Sequence, residues 1–599
     1  LRKQGIEDLE FFNIDAVRPT YSEALENIIQ HAPDVLGISA VVSTAYEYTK
    51  QLSTDVKRAL PNCLIVVGGN LAASAEILLR KTGTDICVIG EGEKVFYDIV
   101  KRAEETKVPS SFTDIPGLVF LGPNSDLINT GYASQIDKDI LYDVCWKDLE
   151  KSTDINHFIY EEFESGEPSQ FFRLDPRTYE AHRRDKKHAI LVMSKGCVAR
   201  CTFCHRWDKG IRYIPVHILI KRIEQLIDDY NVGFLEVSDE NFGTDRRWLA
   251  ELCEAITNLD ILWTVKGMRV NCLSSDNIAM MKAAGCTSII CGMETGSPKM
   301  LQIMEKKVKI EDNYNAMQIM SDNAVHSVIQ LVIGMPGEDD HTISETIQFC
   351  KTSLTLSPDQ DPNDLSINYA QALPGTPLYE FARHRGLIGK TIDAEEDYLL
   401  RISDKNAHDE TTTLNFTDQP KLICETWRPR IQIEVTNAYI KKFGLNHYYQ
   451  RLLRNTKFFI TEGENTGNFA NPRRLVRKGG PVDTVSDVHE QITLNHERIP
   501  SLWNLIKNGQ LGHALICYPI LAYRLRYFLP IFVLFKGYIR NGKRYFWSVL
   551  IEYIKFKIGL LKWGNLSSIE EKSLRKIVND NLGVIATDAQ ETLPLRSGR

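Results

Sequence analysis

Residues 194–207 read SKGCVARCTFCHRW, which sets Cys197, Cys201 and Cys204 in a C-x3-C-x2-C spacing. The run just before, HAILVMS (188–194), has the short apolar pattern of a buried strand. A tight loop at a strand end can aim three thiolates at one point. Thiolate is the usual ligand of iron–sulfur clusters and zinc. A 4Fe–4S cluster held by three cysteines leaves one iron open to a substrate. Spacing alone leaves two other readings: zinc completed by His205 or a remote ligand, and three unrelated cysteines.

Working outward, five more apolar runs follow, GFLEVSD (233–239), ILWTVKGMR (261–269), TSIICGME (287–294), VIQLVIG (328–334) and LSINYAQ (365–371). Helical patterns separate them. In HILIKRIEQLIDDY, Ile218, Ile220, Ile223, Leu226 and Ile227 form an apolar stripe. Six strand–helix units predict a partial (β/α)6 TIM-type barrel over 186–388, with chemistry at the C-terminal strand ends.

The cysteine loop resembles the radical SAM signature, C-x3-C-x-aromatic-C, with Phe203 in the aromatic place. The resemblance runs from about 188 to 385. It implies a 4Fe–4S cluster whose open iron chelates S-adenosylmethionine (SAM), and one-electron cleavage of SAM to a 5′-deoxyadenosyl radical. It also implies places for SAM. Ser238, Asp239 and Glu240 stand where the family has a Gly-Gly-Glu-like motif for the amino group, departing from its glycines; a helix N-cap is the alternative. Arg269 stands where a cation meets the carboxylate; an ordinary surface arginine is the alternative. Glu294 matches the ribose-contacting place, and Val332 and Gly334 in VIGMPGE match the adenine side.

The first hundred residues also alternate strand and helix: DVLGISAVV (34–42), CLIVVGGN (63–70) and DICVIGEGE (85–93) are the strand runs. Such a pattern predicts a parallel α/β sheet covered on both faces. Ser39-Ala40-Val41 is followed after 26 residues by Gly68-Gly69. Glycines at strand ends let a backbone approach a ligand closely. A generic flavodoxin-like domain would look similar. The spacing resembles the cobalamin-binding domain, with its Ser-x-Leu and Gly-Gly elements, and GEGE (90–93) resembles its turn ahead of a radical SAM barrel. The resemblance implies a Rossmann-type fold with cobalamin beside Ser39, Val41, Gly68 and Gly69. The family's Asp-x-His-x-x-Gly loop and the strand before it are not found. IEDLEFFNID (6–15) is expected as the second strand. Residue 1 is Leu, so a fragment or a processed form is also a reading.

The organisation expected is a cobalamin-binding domain over 1–108, a connector over 109–185, the barrel over 186–388 and a mainly helical domain over 389–599. The net charge of −7 argues against a general nucleic-acid partner. Thirteen scattered cysteines suit a reducing, cytoplasmic setting. The stretch 514–539 is very apolar but interrupted by Pro519, Arg524, Arg526 and Pro530. It reads as buried helices, an interfacial pair in peripheral contact with a membrane, or a span.

This layout resembles the cobalamin-dependent radical SAM class. That resemblance implies methylation of an unactivated carbon in a small, lipid-like or aromatic substrate, with a flavodoxin or ferredoxin as electron donor. A non-methylating oxidative cyclase or rearrangement enzyme shares the layout. A cobalamin-binding sensor or scaffold is the alternative of another class, opposed by the intact cysteine triad.

Overall fold

The structure is a computed structural model that describes residues 1–163, 167–205, 210–403, 407, 413–454, 499, 501–507, 511–560 and 574. Two sheets organise them. The first runs in order β1 (Val35–Ser39), β2 (Leu64–Gly68), β3 (Ile86–Val88), β4 (Leu118–Leu121), β5 (Leu127–Asn129). β1, β2 and β3 are parallel, and β4 and β5 add an antiparallel hairpin. That hairpin lies within 109–185, the stretch expected to connect. The register sets Ser39 directly opposite Gly68.

The strand expected over IEDLEFFNID does not form. Residues 6–13 are irregular, and Asn13 caps a short helix, Ile14–Val17, by accepting from the Ala16 amide at 3.1 Å. An Asx cap at that position competes directly with extended backbone. β1 is therefore an edge of the described sheet.

The second sheet holds β6 (Ile159–Glu161), β7 (Lys187–Leu191), β10 (Val232–Phe242), β11 (Leu262–Met268), β12 (Cys286–Glu294), β13 (Ile329–Ile333) and β14 (Leu365–Tyr369). β8 (Ser194–Lys195) and β9 (Arg212–Tyr213) form a separate ribbon beside the cysteine loop. The order is β14-β13-β12-β11-β10-β7-β6. Six strands are parallel, β6 is antiparallel, and the two outer strands do not pair, so the barrel stays open. The six runs read from the sequence are these six strands.

The helix Val216–Tyr230 buries Val216, Leu219, Ile223 and Leu226, while Ile218, Ile220 and Ile227 pack at its margins. The stripe is thus rotated from the expected one, because Leu219 rather than Ile220 continues the i, i+4 row to Ile223.

The two α/β units share a core. Ala40, Val67, Leu71 and Leu78 of the first sheet's layer join Met300, Met304, Met335 and Tyr379 of the barrel in one buried cluster. The helix Ile392–Ile402 reinforces the joint: Glu396 accepts from the Tyr46 hydroxyl at 2.8 Å and pairs with Lys50. Beyond it the described chain is helical. A long helix, Lys421–Phe443, lies against the helix Asp340–Ser353, tied by Lys351 to Glu434 at 2.6 Å and by Trp427 Nε1 to Asp340 at 3.0 Å. Of the mainly helical domain expected over 389–599, residues 455–498, 561–573 and 575–599, with shorter stretches, lie outside the described residues. Among the described residues no helix is long and apolar enough to cross a membrane.

At the N-terminal ends of the barrel strands a buried polar chain ties β12 to the segment entering β14. His326 Nδ1 lies 3.0 Å from the Ser288 hydroxyl, and its Nε2 lies 3.0 Å from Asp364 Oδ2. All three residues are buried, and breaking such a network leaves an uncompensated carboxylate. His326→Ala is expected to cost about 3 kcal/mol, roughly 6–12 °C in the unfolding midpoint for a domain of this size. Thermal melts of the variant and parent check this; an unchanged midpoint would contradict the role assigned to the network.

Candidate functional site

The barrel opens at the C-terminal strand ends, where β7 runs into the cysteine loop. Asp239 on β10 latches the entry to that loop. Its carboxylate accepts from the Met193 amide at 2.8 Å and the Ser194 hydroxyl at 2.5 Å. Burial pushes the Asp239 carboxyl up to about 6, against the pull of those donors. Asp239 thus fixes the entry to the loop, and the N-cap of the next helix is Asp245. Ser238 and Glu240 are exposed beside it.

Cys197 and Cys201 lie close enough to Cys204 to disfavour its ionisation. Burial pushes the Cys204 thiol up to about 12, reinforced by Cys201 and Cys197, although the residue as a whole is open to solvent. Cys201 is raised by burial too, and Lys306 and Arg269 pull against that. Cations and N–H donors around sulfur offset the charge of ligating thiolates. The Ala199 amide and the Asn241 side-chain amide point at Cys197 Sγ, at 3.3 and 3.6 Å. Among the described residues no three His, Cys, Asp or Glu side chains converge as a single ion would require. A cluster distributes its cysteine ligands over separate irons, and this donor set of three thiols with N–H donors to sulfur fits it. His205, offered by spacing as a zinc ligand, packs its Nε2 edge on Gly375, where an added Cβ would stand 3.2 Å away.

Beside Cys201 lies a buried ion pair that sequence reading missed. Lys306 Nζ donates to Glu294 Oε1 at 2.6 Å. Burial opposes the Lys306 charge, but Glu294 and Cys201 outweigh it and hold its pKa above the ordinary lysine value. Glu294 ends β12 with φ at +63°, a left-handed conformation that costs a non-glycine residue about 1–3 kcal/mol. Gly292 makes room: a Cβ there would lie 2.4 Å from Glu294 Oε1. Arg269 donates to the Lys306 carbonyl at 2.6 Å, so the cation of β11 and the lysine form one electropositive corner. The only hint in sequence was the lysine-rich run EKKVK at 305–309.

On the next strand, Gly334 follows β13 with φ at +83°. Its amide donates to Glu338, as does the Met335 amide at 3.2 Å. Full burial pushes the Glu338 carboxyl up to about 8, so it is largely protonated at neutral pH. Val332 and Phe203 are half-buried at the margin of the core shared with the first sheet.

Across from the cysteine loop stand the ends of β1 and β2. Ser39 is exposed, and Val41 beyond it is 64% exposed, unusual for a large apolar side chain. Gly69 has φ at +84°, and a Cβ there would stand 2.4 Å from the Ala40 carbonyl oxygen. Gly68 is different. A Cβ there would meet only Val88 Cβ, at 3.9 Å. The space left at Gly68, with Ser39 and Val41 exposed at the neighbouring strand end, fits the close approach of a large cofactor such as cobalamin.

The two halves are locked together. Glu91, in the turn after β3, pairs with Arg212 on β9 and with Lys195 on β8 at 3.2 Å, and accepts from the Ile136 amide at 2.6 Å. Burial alone would raise its carboxyl, but Arg212, the amide and Lys195 outweigh that and hold it below the usual carboxylate range.

Cys201→Ala is expected to abolish the brown absorbance of the reconstituted cluster and all SAM cleavage, read by spectroscopy and deoxyadenosine assay; persisting cleavage would sink the cluster assignment. Gly68→Leu is expected to lower cobalamin retention at least tenfold with cluster content unchanged, measured by gel filtration and metal analysis. Equal retention would overturn the placement of cobalamin beside Gly68.

The family described as B12 binding domain matches residues 1–100, and the radical SAM superfamily matches residues 191–350. An anaerobic magnesium-protoporphyrin IX monomethyl ester cyclase of Rubrivivax gelatinosus is 24% identical over 362 residues, 59% of this chain and 60% of that protein. The chain therefore spans less than two thirds of that relative. An uncharacterized methyltransferase of Pyrococcus horikoshii is 24% identical over 382 residues, 62% of this chain and 73% of that protein. The solved structure of the apo, selenomethionine-labelled cobalamin-dependent S-adenosylmethionine radical enzyme OxsB shares the fold. Its TM-score is 0.52 at 13% identity, covering 94% of this chain and 78% of that one. Thiol triad and family matches agree: the chain contains a B12 binding domain and a radical SAM domain, and the cofactors these two domains take are cobalamin, a 4Fe–4S cluster and SAM.

Proposed function

We propose that the protein is a methyltransferase acting on an unactivated carbon of a small molecule. One observation supports the reading: the strand-end region beside Gly68 and Gly69 is joined to the cysteine loop by shared contacts. Glu91 binds both Lys195, two residues before Cys197, and Arg212 beyond Cys204. Gly375 is packed between His205, next to Cys204, and Ala73, four residues after Gly69. Such a joint would keep the two cofactors at a fixed separation, facing one substrate.

When bound, the cluster supplies the electron that cleaves SAM, and cobalamin supplies a methyl carrier. The protein's residues bind and orient. Cys197, Cys201 and Cys204 hold the cluster, and Asp239 fixes the loop that presents them. Ser238 and Glu240 suit the SAM amine, and Arg269 with Lys306 suits its carboxylate. Glu294, held in its strained conformation by Lys306, would meet the ribose, and the Val332–Gly334 backbone would flank the adenine. Ser39, Val41, Gly68 and Gly69 hold cobalamin. A flavodoxin or ferredoxin supplies electrons at the exposed Cys204 side.

Oxidative cyclisation is the second reading, favoured by the similarity to the Rubrivivax cyclase. Product analysis of anaerobically reconstituted protein given SAM, reductant and cobalamin separates the two. Methylation predicts S-adenosylhomocysteine in amounts that require added cobalamin. Deoxyadenosine alone, with cobalamin bound and no S-adenosylhomocysteine, would replace methylation with cyclisation or rearrangement.

A further inference from the structure

Residues 519–560 carry eight lysines and arginines against one acid, Glu552, in a chain whose net charge is −7. The segment folds as the helix Pro519–Arg524, a short 3-10 turn and a helical stretch over Leu529–Lys557 that reverses at Gly542, where φ is +76°. The reversal makes an antiparallel hairpin. Val533 on one arm and Val549 on the other join Leu422 in a buried cluster, and Tyr538 meets Phe546 edge-on at 5.9 Å. The inner face is anchored to the helix Lys421–Phe443: the Tyr545 hydroxyl donates to Glu425, and Glu552 accepts from the Lys421 amide at 2.9 Å. The segment's only carboxylate is thus used up inside.

The outer face is unlike an ordinary surface. On the first arm Phe528, Ile531, Phe535 and Ile539 follow one another at steps of three and four residues, each at least half exposed. On the second arm Trp547, Ile551, Ile554 and Ile558 do the same, between 47 and 62% exposed. Steps of three and four keep each row on one helix face. Lys543, Arg544, Lys555 and Lys557 stand exposed on the same two arms.

We propose that this hairpin docks the protein on the surface of an anionic phospholipid bilayer, lying in the interface with both apolar rows sunk among the acyl chains and the lysines and arginines among the headgroups. Apolar rows flanked by cations, with no free carboxylate, match the chemistry of an interfacial helix pair on acidic lipid. No helix among the described residues crosses a bilayer, so the contact is peripheral. A second copy of the chain is a poor occupant, because two such faces would bring like charges together. The docking needs neither cofactor nor turnover, so it stands apart from the reaction assigned above.

Flotation of the holoprotein with vesicles tests it. Binding is expected to be at least tenfold stronger to vesicles of one part phosphatidylglycerol to two parts phosphatidylcholine than to phosphatidylcholine alone, and to weaken in 0.5 M salt. Ile531→Glu with Ile554→Glu should abolish it. Lys543→Glu with Arg544→Glu should weaken it while leaving cluster and cobalamin content unchanged. Lipids brominated on their chains should quench fluorescence in the parent and not in Trp547→Phe. Equal binding to neutral vesicles, equal binding by the charge variant, or a salt-resistant dimer in place of vesicle binding would each overturn the proposal.

Discussion

One carboxylate holds the two cofactor-binding halves in register. Glu91 sits where the third strand of the first sheet turns into its helix, and it is met by Lys195 and Arg212 from the ribbon that brackets the cysteine loop. Two cations and a backbone amide on one buried acid make the pair directional, unlike the apolar core beneath it. The core formed by Val67, Leu71, Met300 and Met335 joins the same two halves, and Glu396 with Tyr46 and Lys50 adds a second polar tie between them. Because its carboxyl is held below the ordinary range, the clamp is fully formed at neutral pH and is lost only as acid protonates it.

At strand ends around that joint the backbone takes left-handed turns. Gly69 and Gly334 take left-handed conformations at strand ends, and Glu294 takes one without being glycine. Glu294 is kept there by Lys306 on one side and the missing side chain of Gly292 on the other. Asp239 and Glu338 are buried carboxyls whose hydrogen bonds fix loops rather than face substrate. Residues of the strand ends thus divide into buried ones that hold the loops and exposed ones, among them Ser39, Val41, Ser238 and Glu240.

The helical region after the barrel has two jobs. The helix Lys421–Phe443 buttresses the barrel through Trp427 and Glu434. The hairpin packed on it turns a second, apolar and basic face outward. The segment is net positive in a chain whose net charge is −7, which gives that face a partner preference different from an acidic surface.

Much of this was legible in sequence because local patterns need no partners to be read. The cysteine spacing, the six apolar runs and the strand-end glycines each encode their element within a dozen residues, and all six runs became parallel strands. The expected strand over residues 6–15 failed for an equally local reason, the Asn13 cap. Three things required the folded chain. Lys306 became visible only when β12 and the helix after it brought it to Glu294 and Cys201. Asp239 changed role because Met193 and Ser194 lie across the sheet from it. The outer face of 519–560 emerged only once Glu552 and Val549 turned inward. Apolar and charged residues in a sequence do not say which way they point; packing against a neighbour 100 or more residues away decides that, as Lys421 does for Glu552. The sequence by itself determined the elements and the chemistry of the thiol loop, whereas only tertiary contacts decided which charges are spent inside and which face a ligand.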